Sequence, residues 1–366
     1  MEREVLLSGD GARPNLAFAA IVDARNGMAR AARSRVPRRL AAFAAAGLLA
    51  LSALATQATP VTAGQTWNAY TYNSVATVTA AKGLAELFDE IGKRTNGELK
   101  IKLHLGGTLQ IKATDITQAV ADNIVQMGDD AFFLGSVPVG AVVRLPMLVH
   151  DPVEYQKVSA ILAPALSEAY AKRGIVVVGQ YVFPEQVIWS RKELKSLKDI
   201  QGQKIRVISP DQGEFIKKMG GSPVTLGTAE VPAAIDRGVV DGAITASSGY
   251  GYVWRDLFKY NYRLNLGYVS SLLLVNKKAW DRLSPSVQTV VQDTIREIAD
   301  KTTRAMAAED QDLTQKLAAQ MTATSPSPAE VEEAGQKIRP YYAEWAKAQG
   351  PEAAELLDQV RKALGR

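Results

Sequence analysis

The sequence of 366 residues contains no cysteine and only two histidines, His104 and His150. Without cysteine there is no disulfide framework, no thiolate nucleophile and no thiolate metal ligand. Two histidines so far apart are too few for a histidine-based zinc site. The chain also lacks the H-E-x-x-H, G-x-S-x-G and P-loop patterns of three large enzyme classes. These absences argue against an enzyme and indicate no bound metal or cofactor.

A strong positive charge is missing from most of the chain, although the formal net charge is +5. Residues 1–63 carry eight arginines against four acidic residues, whereas residues 64–366 carry 35 basic and 34 acidic residues. The body of the protein is therefore nearly neutral, and its composition does not indicate a nucleic acid partner. The length is sufficient for two domains, each with its own core.

The excess arginines belong to an N-terminal leader. Several of them, between residues 33 and 39, precede an uncharged run rich in Ala and Leu at residues 40–55. A basic region, a short apolar run and small residues are typical of a secretory signal peptide, with cleavage near Ala58 or Ala63. A membrane anchor is the competing interpretation, but the run is short for a span. We expect an exported, periplasmic protein that does not itself span the membrane after cleavage.

Strand and helix patterns alternate along the remaining chain. Residues 75–95 place apolar side chains on one helical face, residues 99–105 alternate as a strand does, and residues 124–127 are a short strand candidate. This alternation predicts a parallel sheet with helices on both faces.

A second alternation follows an apolar strand at residues 174–182 and a polar segment at residues 185–198. A helix that starts at Pro285 is long enough to span two domains. We therefore predict an α/β protein, with domain I at residues 64–183 and 272–311 and domain II at residues 184–271 and 312–366.

One arginine lies inside a predicted strand. Arg206 stands between Ile205 and Val207, and side chains alternate across a strand, so Arg206 points away from both neighbours. If the two apolar side chains pack in a core, Arg206 faces something polar. Its planar, permanently charged fork suits a carboxylate. An exposed arginine and a structural ion pair are the alternatives that this segment leaves open.

Residues 245–254 mix small and aromatic side chains. Ser247 and Ser248 offer hydroxyl groups and backbone donors, and Tyr250, Tyr252 and Trp254 are able to line an apolar cleft. A helix start whose aromatic side chains pack into the second domain is the competing interpretation. Trp189 has the same two interpretations.

Several side chains of the first domain fall where strands lead into helices. They are Tyr72, Asn73, Asp129, Asp130 and Phe132. Ligands of open α/β sheets bind beyond such strand ends, so these residues are candidates for the binding site. Asp129 and Asp130 have an alternative role as helix caps.

Five motifs, taken in order, resemble one family. They are Gly106-Gly107-Thr108-Leu109, Leu145-Pro146-Met147-Leu148, the stretch Leu197–Val207 with Lys204-Ile205-Arg206, the stretch Glu230–Gly242, and Val275-Asn276-Lys277-Lys278-Ala279-Trp280. Together they cover about residues 64–310. The chain resembles the extracytoplasmic solute-binding proteins of tripartite ATP-independent periplasmic (TRAP) transporters, the DctP family.

The resemblance implies a two-domain, Venus-flytrap α/β fold of the periplasmic-binding-protein type, with a long helix that spans both domains. It also implies a receptor that closes on an organic acid and delivers it to TRAP membrane permease subunits. By the same resemblance Arg206 pairs with the solute carboxylate, Thr245 stands where many members have asparagine, and Ser209 is a further pocket position. The second arginine that some members carry upstream is absent from residues 183–189.

The departures from the family pattern bear on the solute. One arginine–carboxylate pair contributes about 1.5–3 kcal/mol, whereas micromolar binding requires about 8 kcal/mol. The difference must come from burial, hydroxyl contacts and aromatic side chains. The hypothesis is therefore a monocarboxylate with an apolar or aromatic body. The receptor of an ATP-driven (ABC-type) importer and a solute-binding sensor are the alternative functions.

Overall fold

A computed structural model describes residues 64–366, and the predicted signal peptide lies outside the described residues. The strands are β1 (Gln65–Thr71), β2 (Leu99–His104), β3 (Met127–Asp130), β4 (Ile175–Phe183), β5 (Val187–Ser190), β6 (Lys204–Val207), β7 (Ser222–Thr225), β8 (Gly242–Thr245), β9 (Tyr260–Tyr262), β10 (Val269–Asn276) and β11 (Thr322–Thr324). The helices are α1 (Thr79–Arg94), α2 (Ile116–Ala121), α3 (Pro152–Ala171), α4 (Pro210–Lys218), α5 (Val231–Asp236), α6 (Lys277–Trp280), α7 (Pro285–Ala318), α8 (Pro328–Gln349) and α9 (Pro351–Ala363).

The first sheet has the strand order β2-β1-β3-β10-β4. Strand β1 runs parallel to β2 and β3, whereas β10 runs antiparallel to β3 and β4. Helix α1 covers this sheet with Leu84, Leu87, Phe88 and Ile91, which recur at helical spacing and are buried. The sheet and the helices α1, α2, α3 and α6 that pack on it form the first unit.

The second sheet has the strand order β11-β9-β5-β8-β6-β7. Strand β6 runs parallel to β7 and β8, and β5 runs antiparallel to β8 and β9. Helix α5 contributes Val231, Ala234 and Ile235 to a core that it shares with Trp189 of β5. This sheet forms the second unit, and β5 and β8 lie in its interior.

Three connections join the two units. Residues 184–186 lead from β4 to β5, residues 263–268 lead from β9 to β10, and the 34-residue helix α7 runs from one unit to the other. The two short connections pair with each other, because Leu266 N donates to Gln186 O at 3.0 Å and Gln186 N donates to Gly267 O at 2.9 Å. Along α7, Val291 and Ile295 pack in the larger apolar cluster, which contains the core of the first unit. Leu313 and Leu317 pack in the smaller cluster around Trp189 of β5, the second core.

The C-terminal helices contact both units. At the start of α8, Ser327 accepts a hydrogen bond from Glu330 N, and the Glu330 carboxylate accepts one from Ser327 N. Farther along α8, the Tyr341 hydroxyl donates to Asp211 of α4 at 2.9 Å, and the Tyr342 hydroxyl donates to Pro146 O at 2.6 Å. Helix α9 packs against α3. None of the helices within residues 64–366 has the length and apolar character needed to cross a bilayer.

The predicted two-domain α/β architecture with a long helix is confirmed, with three local differences. The third strand covers residues 127–130 instead of 124–127. The polar segment at residues 185–198 contains β5, whose four buried residues are too few to show a clear pattern. The first sheet is not purely parallel, because β10 returns to it from the second unit and meets its neighbours antiparallel.

Candidate functional site

A cavity of about 40 Å³ lies between the two units. The first unit contributes Tyr72 and Phe132, and the second contributes Arg206, Tyr250 and Trp254. Further lining residues are Ala131, Phe183, Gln186, Ile208, Thr228, Thr245 and Val269. On this measure a water molecule needs roughly 10–15 Å³, so the cavity has room for only a few atoms. A larger molecule therefore requires the two units to lie farther apart than they do in this arrangement.

The register of the second sheet places Arg206 in this cavity. Arg206 lies in β6 opposite Val224 of β7 and Ala243 of β8. Its strand neighbours Ile205 and Val207 are buried in the core, so the side chain of Arg206 takes the opposite direction. Its Nε donates to Leu226 O at 3.0 Å, and its Nη1 donates to Ile244 O at 3.3 Å. Two backbone carbonyl groups thus fix the plane of the guanidinium.

The Arg206 side chain keeps its charge without an anionic partner. The residue is only 3% exposed. Within residues 64–366, no carboxylate lies at ion-pair distance from its guanidinium. Burial lowers the pKa of Arg206 to about 10, so the group remains protonated at neutral pH. A buried cation without an ion-pair partner is costly, and an anionic ligand would offset part of that cost.

Aromatic rings surround the guanidinium. The Arg206 Cζ lies 5.8 Å from the centre of the Phe132 ring and 5.6 Å from the centre of the Trp254 ring. Phe132 meets Tyr72 edge-on at 5.5 Å, and Tyr250 lies 4.9 Å from Trp254. These ring faces attract the cation weakly and exclude water from it. The cavity therefore combines one positive charge with apolar walls.

One hydrogen bond closes the cavity across the two units. The Tyr250 hydroxyl accepts from Ser74 N at 2.9 Å, and Ser74 lies in the first unit just after β1. Tyr250 belongs to a five-residue turn, Ser247–Gly251, in which Gly249 has a φ of +78°. Glycine adopts this conformation with little strain, so the chain can turn sharply and bring Tyr250 over the cavity.

Five of the predicted site residues meet around the cavity, and four others of the second unit do not line it. Those that meet are Arg206, Thr245, Tyr250, Tyr72 and Phe132. Ser209 caps α4 by accepting from Gln212 N at 3.2 Å. Trp189 is fully buried in the second core, and its Nε1 donates to Thr245 O at 2.9 Å. Ser247 and Ser248 bind residues of the connections instead, as described below.

The predicted polar residues of the first unit lie in its interior. The Asp129 carboxylate accepts from Thr71, Asn73, Tyr181 and Ser271, and Asn73 Oδ1 is buried without a hydrogen-bond partner. Asp130 accepts from the Thr117 hydroxyl at 2.6 Å and from Phe132 N at 2.7 Å. Burial raises the pKa of each aspartate to about 6. Through its hydrogen bond with Phe132 N, Asp130 orients Phe132, which does line the cavity.

Sequence patterns did not point to several lining residues. Phe183, Gln186 and Val269 lie at the ends of the two short connections, and Ile208 and Thr228 follow strands β6 and β7. The strand ends of the second unit are a signal that would have found Ile208 and Thr228. No local pattern marks Gln186, because its position depends on pairing between two connections that are distant in sequence.

The comparisons with known proteins agree on one family. The family model of the bacterial extracellular solute-binding proteins, family 7 (DctP), matches residues 71–349. The 2,3-diketo-L-gulonate-binding periplasmic protein YiaO of Escherichia coli is 28% identical over 63% of this chain and 71% of its own length. The uncharacterized protein YiiZ of Salmonella typhimurium is 25% identical over 57% of this chain, and the alignment spans 66% of YiiZ.

Solved structures show the same fold. DctP7 of Bordetella pertussis, an extracytoplasmic solute receptor described with bound pyroglutamic acid, is 26% identical and superposes with a TM-score of 0.76. The superposition covers 81% of this chain and all of that structure. The family match extends over well more than half of the sequence and includes both units and the connections between them. The chain belongs to family 7 of the bacterial extracellular solute-binding proteins, the DctP family.

Proposed function

We propose that this protein is the extracytoplasmic receptor of a TRAP transporter and that it binds a small organic acid in the cavity between its units. The observation that carries the proposal is the buried Arg206 guanidinium, which faces the cavity without an anionic partner among residues 64–366. A solute carboxylate would supply that partner. The receptor would then deliver its solute to the membrane permease subunits, and no catalytic step is involved.

The lining residues favour a monocarboxylate. Among the residues of 64–366 that line the cavity, Arg206 is the one that carries a charge. A second carboxylate would find no cation there and would lose its hydration without compensation. The rest of the solute would meet the rings of Tyr72, Phe132, Phe183 and Trp254. These walls match an apolar, cyclic or aromatic body, and the amide of Gln186 and the hydroxyls of Thr228 and Thr245 offer neutral polar contacts.

Two relatives support an acid as the solute. The Bordetella receptor with a TM-score of 0.76 binds pyroglutamic acid, a small cyclic monocarboxylate. The Escherichia coli relative is a 2,3-diketo-L-gulonate-binding protein. Both solutes carry a single carboxyl group. The family also supports a periplasmic location, where such receptors meet their solutes.

A thermal-shift experiment with matched acids tests the proposal. Pyroglutamate, benzoate and succinate would be compared at equal concentration, because a ligand that binds the folded state raises its melting temperature. We expect a shift with at least one monocarboxylate and none with benzamide, which lacks the charge. Arg206→Gln should abolish the shift, since loss of the charged contact costs about 1.5–3 kcal/mol, or more than tenfold in affinity.

Arg191→Gln is the matched control, because Arg191 donates to the carbonyl of Ile235 and does not line the cavity. It should keep the full shift. Succinate stabilising the protein more than either monocarboxylate would contradict the monocarboxylate assignment. An undiminished shift in the Arg206 variant would remove that residue from the binding site.

A further inference from the structure

Arg263 occupies the place where all three connections between the units meet. It lies in the connection from β9 to β10, and its side chain is only 13% exposed. Its Nη2 pairs with Glu185 of the connection from β4 to β5 and lies 3.8 Å from Asp310 Oδ2 of α7. One guanidinium thus joins the two short connections and the long helix.

The same guanidinium holds the turn that carries Tyr250. Its Nη1 donates to the Ser247 hydroxyl at 2.7 Å, and Thr314 of α7 donates to that hydroxyl at 2.9 Å. The neighbouring Ser248 N donates to Asp310 Oδ1 at 2.6 Å. Ser247 and Ser248 are both buried and begin the turn Ser247–Gly251. The direction in which this turn leaves the second unit is therefore fixed by α7 and Arg263.

A carboxylate of α7 is shared between the two units. Glu309 Oε2 accepts from the Thr79 hydroxyl of α1 at 2.7 Å and from the Ser248 hydroxyl at 2.9 Å. Thr79 belongs to the first unit and Ser248 to the second. This oxygen can hold both hydroxyl groups only while the two units keep the arrangement seen here.

Arg263 supplies the positive charge at the junction of the three connections. Within residues 64–366, Arg263 is the cation that contacts the buried Asp310 and the partly buried Glu185. Burial and the charge of Glu185 raise the pKa of Asp310, and Arg263 opposes this rise. Without Arg263, two carboxylates would face each other at the junction of the connections. They would repel each other and loosen the junction.

We propose that Arg263 is the positioning residue that holds the three connections in one arrangement and so fixes Tyr250 over the solute cavity. The inference rests on the proposed solute-binding function, because it assigns to Arg263 the control of the same cavity. Arg263 does not line that cavity. It acts through Ser247 and the turn Ser247–Gly251, whose Tyr250 bonds to Ser74 of the first unit.

The test measures the distance between the units in solution without any solute. The chain contains no cysteine, so a pair of introduced cysteines can be spin-labelled specifically. Ile124 of the first unit and Val239 of the second are 63% and 45% exposed and suit this labelling. Pulsed electron paramagnetic resonance then gives the distribution of the distance between the labels.

We expect Arg263→Gln to broaden this distribution relative to the labelled parent. Arg263→Lys, which keeps the charge, should restore part of the narrow distribution. The double variant that combines Arg263→Gln with Glu185→Gln should also restore part of the narrow distribution, because it removes the repulsion between the carboxylates of Glu185 and Asp310. Arg191→Gln is the matched control, because it deletes an arginine of the second unit that bonds to a backbone carbonyl away from the connections. It should leave the distribution unchanged.

Ser247→Ala provides a milder variant that removes the hydroxyl through which Arg263 and Thr314 hold the turn and keeps the charge of Arg263. Circular dichroism would establish that each variant is folded. A folded Arg263→Gln or Ser247→Ala protein with the parental distribution would overturn the proposal, as would equal broadening in Arg191→Gln. A failure of the solute-binding proposal is a separate result, because these distance measurements contain no solute and the thermal-shift experiment uses no Arg263 variant.

Discussion

Asp129 is a fully buried carboxylate whose burial cost is only partly offset by hydrogen bonds. Four donors from Thr71, Asn73, Tyr181 and Ser271 point at its two oxygens, and no cation contacts it among the described residues. Burial raises its pKa to about 6, above the ordinary value of 3.8. The folded protein therefore binds a proton at Asp129 more tightly than the unfolded chain does. Stability from this group is full below pH 3.8 and is lost as the pH rises through about 6.

Asp129→Asn should flatten the pH dependence of stability in this window. The change removes a group whose shift from 3.8 to about 6 corresponds to at most about 3 kcal/mol. The new side-chain amide group also points N–H donors at the hydroxyl groups that donate to Asp129 in the parent. Some of these donors lose their acceptor, so the variant should be less stable than the parent at pH 4. Urea unfolding at several values between pH 4 and pH 7 measures both effects. The exposed Asp122→Asn is the control, and an unchanged slope in Asp129→Asn would contradict the assignment.

Strands β5 and β8 approach each other so closely that one position must lack a side chain. A Cβ placed on Gly242 of β8 would lie 2.1 Å from the backbone oxygen of Trp189 in β5. A backbone atom inside a sheet cannot move aside without breaking the pairing of the strands. The glycine is therefore a requirement of this pair, which also carries Thr245 to the cavity.

Gly242→Ala should lower the free energy of unfolding by about 1–3 kcal/mol, the range for overpacking in a well-packed interior. Gly213→Ala is the matched control within α4, because its Cβ would meet Pro223 at an ordinary 3.5 Å. That change should stabilise the helix by about 0.5–1 kcal/mol. Chemical unfolding of both variants measures the two effects, and equal stability of Gly242→Ala and the parent would show that the strands can separate.

Elements with long, regular patterns were predictable from the sequence. Helix α1 shows its buried face through Leu84, Leu87 and Ile91, and the strand that carries Arg206 follows a recognisable motif. Strand β5 has only four residues and no alternation, since all of them are buried. The turn Ser247–Gly251 depends on contacts with α7 and Arg263, which are distant in sequence. Local patterns contain no information about such contacts, so the roles of Ser247 and Ser248 emerged only from the structure.

At the scale of the whole molecule, the cavity opens only if the units rotate about their connections. Helix α7 has 34 residues and a length of about 51 Å at 1.5 Å per residue. Its two ends belong to different cores, so it resists a simple separation of the units. Opening must instead bend or pivot near the middle of this helix, while the hydrogen bond between Ser74 and Tyr250 breaks.

Tyr250→Phe should weaken the binding of any monocarboxylate that stabilises the parent protein. The change keeps the ring against Trp254 and removes the bond to Ser74 N across the cavity. Loss of one hydrogen bond of about 1 kcal/mol corresponds to roughly fivefold weaker affinity, mainly through faster dissociation. Stopped-flow kinetics and calorimetry measure the change. Tyr252→Phe is the control, and a dissociation rate equal to that of the parent would argue that this bond does not hold the cavity closed.

The orientation of Arg206 by main-chain groups has a consequence for how the binding site can evolve. Its guanidinium is oriented by the carbonyl oxygens of Leu226 and Ile244, which belong to the main chain. Every amino acid supplies such an oxygen, so mutations at these two sites need not disturb the orientation. The lining side chains can then be exchanged over generations while the cation stays in place. Under the proposed function, single substitutions in the lining would change which acid fits, while the cation that binds its carboxylate stays in place.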